Sequence, residues 1–155
     1  MLRLSNRSRG FSLIEMLIVV SIILIIITFA VPKFLKATMG ARELGAIKAI
    51  QTIHQGEVQY QSQYSRYANT LQELGPPASG PATPSAADLI GNDLSNGEKN
   101  GYKFTLTGSG GGYVITAVPI TYGSSGSRTF YSDQTMVIHQ NFSAEPATAS
   151  SPEMK

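Results

Sequence analysis

The 155-residue chain has no cysteine, no tryptophan, only two histidines, and a charged fraction of just 14%. Without cysteine there is no disulfide framework, no thiolate metal site and no thiol nucleophile. A small domain lacking those staples must draw stability from packing against a long helix or against other copies. His54 and His139 are the only histidines, no serine stands in a strand–turn–helix elbow, and no acid pair stands at catalytic spacing. Asp88, Asp93 and Asp133 are too scattered for a calcium loop. The sequence therefore reads as a non-enzyme, with no catalytic residue, no metal site and no cofactor.

Basic excess is also scarce. The formal charge is +2, but Arg3, Arg7 and Arg9 all precede Gly10, and beyond it nine basic residues face ten acidic ones. The positive balance belongs to the N-terminus, so nothing points to a nucleic-acid partner.

What the chain has instead is one long apolar run. Residues 10–31 read GFSLIEMLIVVSIILIIITFAV, long enough to cross a bilayer as a helix. A single carboxylate, Glu15, interrupts it near the start. An acidic side chain costs at least ~2.5–3.5 kcal/mol near the bilayer centre, and somewhat less toward an end. A plain anchor has no use for it, unless it lies solvated at the headgroups. The run is too long for the apolar part of a secretory signal, and Thr28-Phe29-Ala30 is a weak cleavage site. Arg3, Arg7 and Arg9 favour a cytoplasmic N-terminus, although Lys33 and Lys36 weaken that asymmetry.

The segment GFSLIEMLIVV resembles the N-terminal motif of type IV prepilins and the related pseudopilins. The resemblance covers the first thirty or so residues closely. It implies removal of residues 1–10 as a basic leader by a dedicated prepilin peptidase, which also methylates the new N-terminus. Gly10 is then the last leader residue and Phe11 the methylated first residue. Glu15 becomes the acidic residue that guides subunit assembly, and Pro32 matches the family's helix-kinking proline. Pairing Glu15 with the N-terminal amine of a neighbouring subunit neutralises both charges and penalises mismatched docking.

Past Pro32 the sequence stays helix-like to residue 67, rich in Ala, Leu, Ile, Gln, Glu and Lys. Ala46, Ile50, Ile53, Tyr60, Tyr64 and Tyr67 form a stripe interrupted at Glu57, expected to pack under a soluble domain. An electron path through the tyrosines is the sharper alternative to core packing. His54 and Glu57, at i and i+3, have metal-ligand spacing but no third ligand.

Residues 68–101 read as a proline-rich connecting loop with a short helix at 85–94, capped by Ser85 and with Asp88 at its third position. Residues 102–140 read as an antiparallel sheet of about four strands. YKFTLT and YVITAVPI form a hairpin across GSGGG, and further strands lie near Arg128–Tyr131 and Thr135–His139, joined by a turn at 132–134. No lysine follows GSGGG, so a phosphate cradle is the weaker reading. Residues 141–155 read as a flexible tail, with a glycosylation tripeptide at Asn141-Phe142-Ser143. With no cysteine, the C-terminal disulfide loop of some pilins is out of reach.

The expectation is an α+β fold, a long N-terminal helix on a small antiparallel sheet. The resemblance implies a pilus subunit, most like a major type IV pilin. Its partners are copies of itself in a helical filament, the inner membrane before assembly, the prepilin peptidase and the assembly platform. The precursor is expected in the inner membrane and the assembled subunit outside the cell. A pseudopilin of a type II secretion system, or a signal-anchored periplasmic binding domain, remain the alternatives.

Overall fold

A computed structural model of the chain describes residues 10–109 and 111–154. The leader expected at 1–10 lies outside them except for Gly10. Two compact units divide the chain, one ending at Lys36 and the other starting at Ala37. The helix α1, Leu13–Tyr64, runs through both.

Five strands form one antiparallel sheet in the order of the chain: β1 (Glu98–Lys99), β2 (Tyr102–Ser109), β3 (Gly112–Pro119), β4 (Thr129–Asp133) and β5 (Ile138–Asn141). The fold is α+β. One strand more is present than expected, the two-residue β1, which turns into β2 through Asn100-Gly101. Both turn residues take positive φ, 53° and 78°, the geometry that suits a two-residue hairpin.

Period-two patterning puts Tyr102, Phe104 and Leu106 of β2 in the core and leaves Lys103, Thr105 and Thr107 exposed. Ile115, Ala117 and Phe130 join them from β3 and β4. Against this layer α1 packs the expected stripe. Ala46, Ile50, Ile53 and Tyr60 are fully buried, while Tyr64 and Tyr67 sit at its margin. Glu57 does not interrupt the stripe as expected, because it too is fully buried.

Several boundaries differ from expectation. Helix α1 ends at Tyr64, where Ser65 turns to φ 58°. The helix expected at 85–94 does not form; α2 (Leu71–Leu74) and α3 (Asn92–Ser95) stand on either side. The amides of Ala87, Asp88, Leu89 and Ile90 donate instead to carbonyls of Glu73, Gly75 and Leu74. Asp88 accordingly adopts φ 55°, and the Ser85 hydroxyl bonds Thr83 rather than a helix end. Long-range backbone bonding has overridden a local capping pattern.

The turn between β4 and β5 is longer than expected. Asp133 accepts the Thr135 amide and hydroxyl, Met136 takes φ 63°, and β5 starts only at Ile138. The tail is not loose in this structure. Met154 N–H donates to Ile138 O, Gln140 N–H donates to Pro152 O, and the Met154 side chain packs on the core. An unpaired edge of β5 offers those backbone groups, and the tail takes them.

Candidate functional site

Every residue from Gly10 to Ala37 is exposed. Large apolar side chains dominate this stretch, with Phe11 78% and Leu13 83% exposed. The helix is long and apolar enough to cross a membrane, and its most apolar window is not buried at all. Such a surface in water is a strong driver of association or insertion.

Gly10, Phe11 and Ser12 precede the helix as irregular backbone, so the Gly10–Phe11 bond lies outside α1. Helical backbone starts at Leu13, directly after Ser12. The Ser12 N–H donates to Glu15 Oε2 at 2.7 Å. Ser12 and Glu15 stand at the S-x-x-E spacing of a capping box, in which the acidic residue reaches back to the cap amide. Reading Glu15 only as a partner for an amine missed this bond. The spacing that signals it was present in the sequence, and a carboxylate in the first turn also suits the positive end of the helix.

Deeper in the run, Ser21 and Thr28 donate their hydroxyls to Leu17 O and Leu24 O at 2.7 and 2.9 Å. Back-bonding of this kind satisfies the hydroxyls within the helix. Pro32 lies inside α1, which is helical on both sides of it. Proline removes one backbone donor there.

The His54–Glu57 pair does not form a metal site. His54 Nδ1 lies 2.6 Å from Tyr113 Oη and Nε2 lies 2.8 Å from Ser132 Oγ. Because Ser132 donates its proton to Val137 O, it must accept from Nε2–H, and Tyr113 O–H then donates to Nδ1. Burial holds His54 below the ordinary histidine range, partly countered by Asp133. Glu57 accepts the Ala68 amide at 2.9 Å. Among the described residues no group of three metal-type ligands occurs.

A family model described as a prokaryotic N-terminal methylation motif matches residues 5–31. Type IV major pilin protein PilA of Myxococcus xanthus (strain DK1622) is 33% identical over 73 residues. The motif, the fold and that relative together support the type IV pilin family. The match covers 47% of this chain and 33% of the relative, so the chain spans about a third of the length of the curated relative. By length and composition alone, the exposed apolar helix is able to cross a membrane.

Proposed function

We propose that the chain is a structural subunit of a type IV pilus. It is cut after Gly10, methylated at Phe11, and polymerised through residues 11–31. The observation that carries the reading is the wholly exposed apolar half of α1 behind G-F-S-L-I-E. A helix this apolar needs lipid or other helices around it, and a filament core supplies the second. The subunit waits in the inner membrane and leaves it on assembly, with the prepilin peptidase and an assembly platform as transient partners.

Glu15 has two states in this scheme. In the uncut chain its carboxylate is held by the Ser12 amide. After cutting, the Phe11 amine of a neighbouring subunit offers a full positive charge, which a buried carboxylate binds more strongly than a neutral amide. Pro32 is where the proposed span ends, and the missing donor there lets α1 bend.

Mass spectrometry of the cellular protein tests the reading. A chain starting with methylated Phe11 is expected, and a retained leader sinks the proposal. Recovery in sheared surface filaments separates a pilus subunit from a pseudopilin confined to the periplasm. Glu15→Ala is expected to leave the protein in the membrane and cut filament yield. Normal yield in cells lacking the wild-type subunit defeats the pairing mechanism.

A further inference from the structure

A run of positive charge follows the apolar stretch. Between Pro32 and Glu43 the chain carries Lys33, Lys36 and Arg42 and no acidic residue, and all three are exposed. Glu43 turns inward, buried against Ser127 and Arg128. Basic residues just past a span oppose the orientation that Arg3, Arg7 and Arg9 favour. Spanning the membrane therefore gives no reason for them.

An apolar patch lies on the second compact unit beside Arg42. Ile120, Tyr122 and Phe142 are 55%, 43% and 66% exposed. The Tyr122 hydroxyl donates to Phe142 O at 2.8 Å, and Ile120 stands two residues before Tyr122. Arginine rims the patch. Arg42 donates to Ser124 O in the same loop, and the Arg128 guanidinium lies 5.9 Å from the centre of the Phe142 ring.

Burial on α1 begins at Glu43, so the loop between β3 and β4 packs on the first buried turn of the helix. Arg42 follows Pro32 by ten residues, about 15 Å of helical rise. Headgroups occupy about 5–7 Å beyond the hydrocarbon on each side. The rest is closed by the reach of the arginine side chain, by a helix tilt of about 20° and by bending at Pro32.

An anionic lipid surface answers both features. Headgroup phosphates pair with guanidinium and ammonium groups, and a tyrosine, apolar with one polar end, settles at headgroup level. A wholly apolar partner leaves the charges unanswered.

We propose that this end of the second unit docks on an anionic phospholipid surface while the subunit is stored in the membrane. Lys33 and Lys36 hold headgroup phosphates next to the span, Arg42 extends the contact, and Ile120, Tyr122 and Phe142 enter the interface. The inference rests on the membrane-anchored stage of the reading above. Assembly then has to break this contact as well as withdraw the span.

The test uses the full chain in vesicles, where the absence of cysteine lets one introduced thiol report alone. A fluorophore on Phe142→Cys is expected to be quenched by nitroxide-headgroup lipid in phosphatidylglycerol vesicles. It should be released in phosphatidylcholine vesicles, or at about 1 M salt, where screening is nearly complete within ~3 Å. Thr107→Cys, at the end of β2 where Gly108 abuts Asn69, should stay unquenched. Arg42→Gln is expected to lower the docked-to-free ratio about fivefold, the effect of removing one basic residue from an anionic surface. Lys33→Gln/Lys36→Gln should lower it further.

No quenching at Phe142→Cys, or equal quenching at Thr107→Cys, overturns the proposal. Quenching indifferent to headgroup charge and salt overturns it too, because the contact is then apolar alone. Diamide-linked dimers of unlabelled Phe142→Cys identify a second copy as the occupant and also overturn it. Tyr122→Cys repeats the measurement if Phe142→Cys does not fold. A chain that alkaline carbonate strips from the vesicles refutes membrane anchoring itself, whereas an inserted chain with the patch in water refutes only this contact.

Discussion

Glu57 accepts the backbone N–H of Ala68 with one carboxyl oxygen, while its other oxygen is buried without a partner among the described residues. The bond ties α1 to the chain just after its end. Burial pushes the Glu57 carboxyl up to about 7, opposed by the Ala68 bond and reinforced by the charge of Glu73. Protonation places a hydrogen on the unpartnered oxygen and removes a charge from the core.

The sign of its pH effect follows. An acid whose folded pKa is raised contributes stability in full below its ordinary value near 4.5, and that contribution is lost as pH rises through 7. The difference is ~3 kcal/mol at ~1.4 kcal/mol per pKa unit. Glu57→Gln keeps an acceptor for Ala68 and cannot ionise. Denaturant titrations of the detergent-solubilised chain at pH 5 and pH 8 should show a smaller pH dependence for Glu57→Gln than for wild type. Equal slopes exclude Glu57 as the group responsible.

Tyr113→Phe removes the hydroxyl that donates to His54 Nδ1 and leaves that nitrogen buried without a partner. The expected loss is ~1–3 kcal/mol, read as a shift in the urea midpoint. Because the folded pKa of His54 is depressed, its neutral form stabilises the fold above the ordinary histidine value, and that contribution fades as pH falls through the folded value. An unchanged midpoint for Tyr113→Phe contradicts the hydrogen-bond assignment.

Glu43 collects the Ser127 amide and hydroxyl and the Arg128 side chain, at 2.7 to 2.8 Å. Burial alone raises its pKa, but those donors overcome it and hold the carboxyl below its usual range. Glu43→Ala leaves the part-buried Arg128 without its carboxylate partner, for an expected cost of ~3 kcal/mol, the lower end for a broken buried pair. Calorimetry measures it, and a melting temperature equal to wild type rejects the claim.

Glycine substitutions separate open from closed positions. A Cβ on Gly108 meets the Ala68 carbonyl and comes within 2.7 Å of Asn69 Cα, both backbone, whereas one on Gly40 meets nothing within 4 Å. Gly108→Ala should destabilise strongly because backbone cannot step aside. Gly40→Ala should raise subunit stability by ~0.5–1 kcal/mol through helix propensity. Thermal melts of both in detergent check the pair, and the reverse order contradicts the packing described.

The N-terminal half of α1 was legible in residues 10–31 because lipid-length hydrophobicity is a local property and requires no knowledge of the rest of the chain. The S-x-x-E spacing behind the Ser12 N–H bond to Glu15 is equally local, although a reading fixed on charge pairing passes over it. Tyr102, Phe104 and Leu106 announced their buried face by alternation, and the α1 stripe announced its own by helical spacing.

The sequence by itself determined the element types wherever periodicity is strong: the long helix, the β2–β3 hairpin and the antiparallel sheet built on it. Tertiary structure alone decided the rest. Residues 87–90 gave up a helix for carbonyls at 73–75, the tail paired with β5, and Glu57 joined the core on the strength of one amide from Ala68. These outcomes depend on which backbone donors and acceptors meet across a long sequence separation, and a local pattern carries no record of those partners.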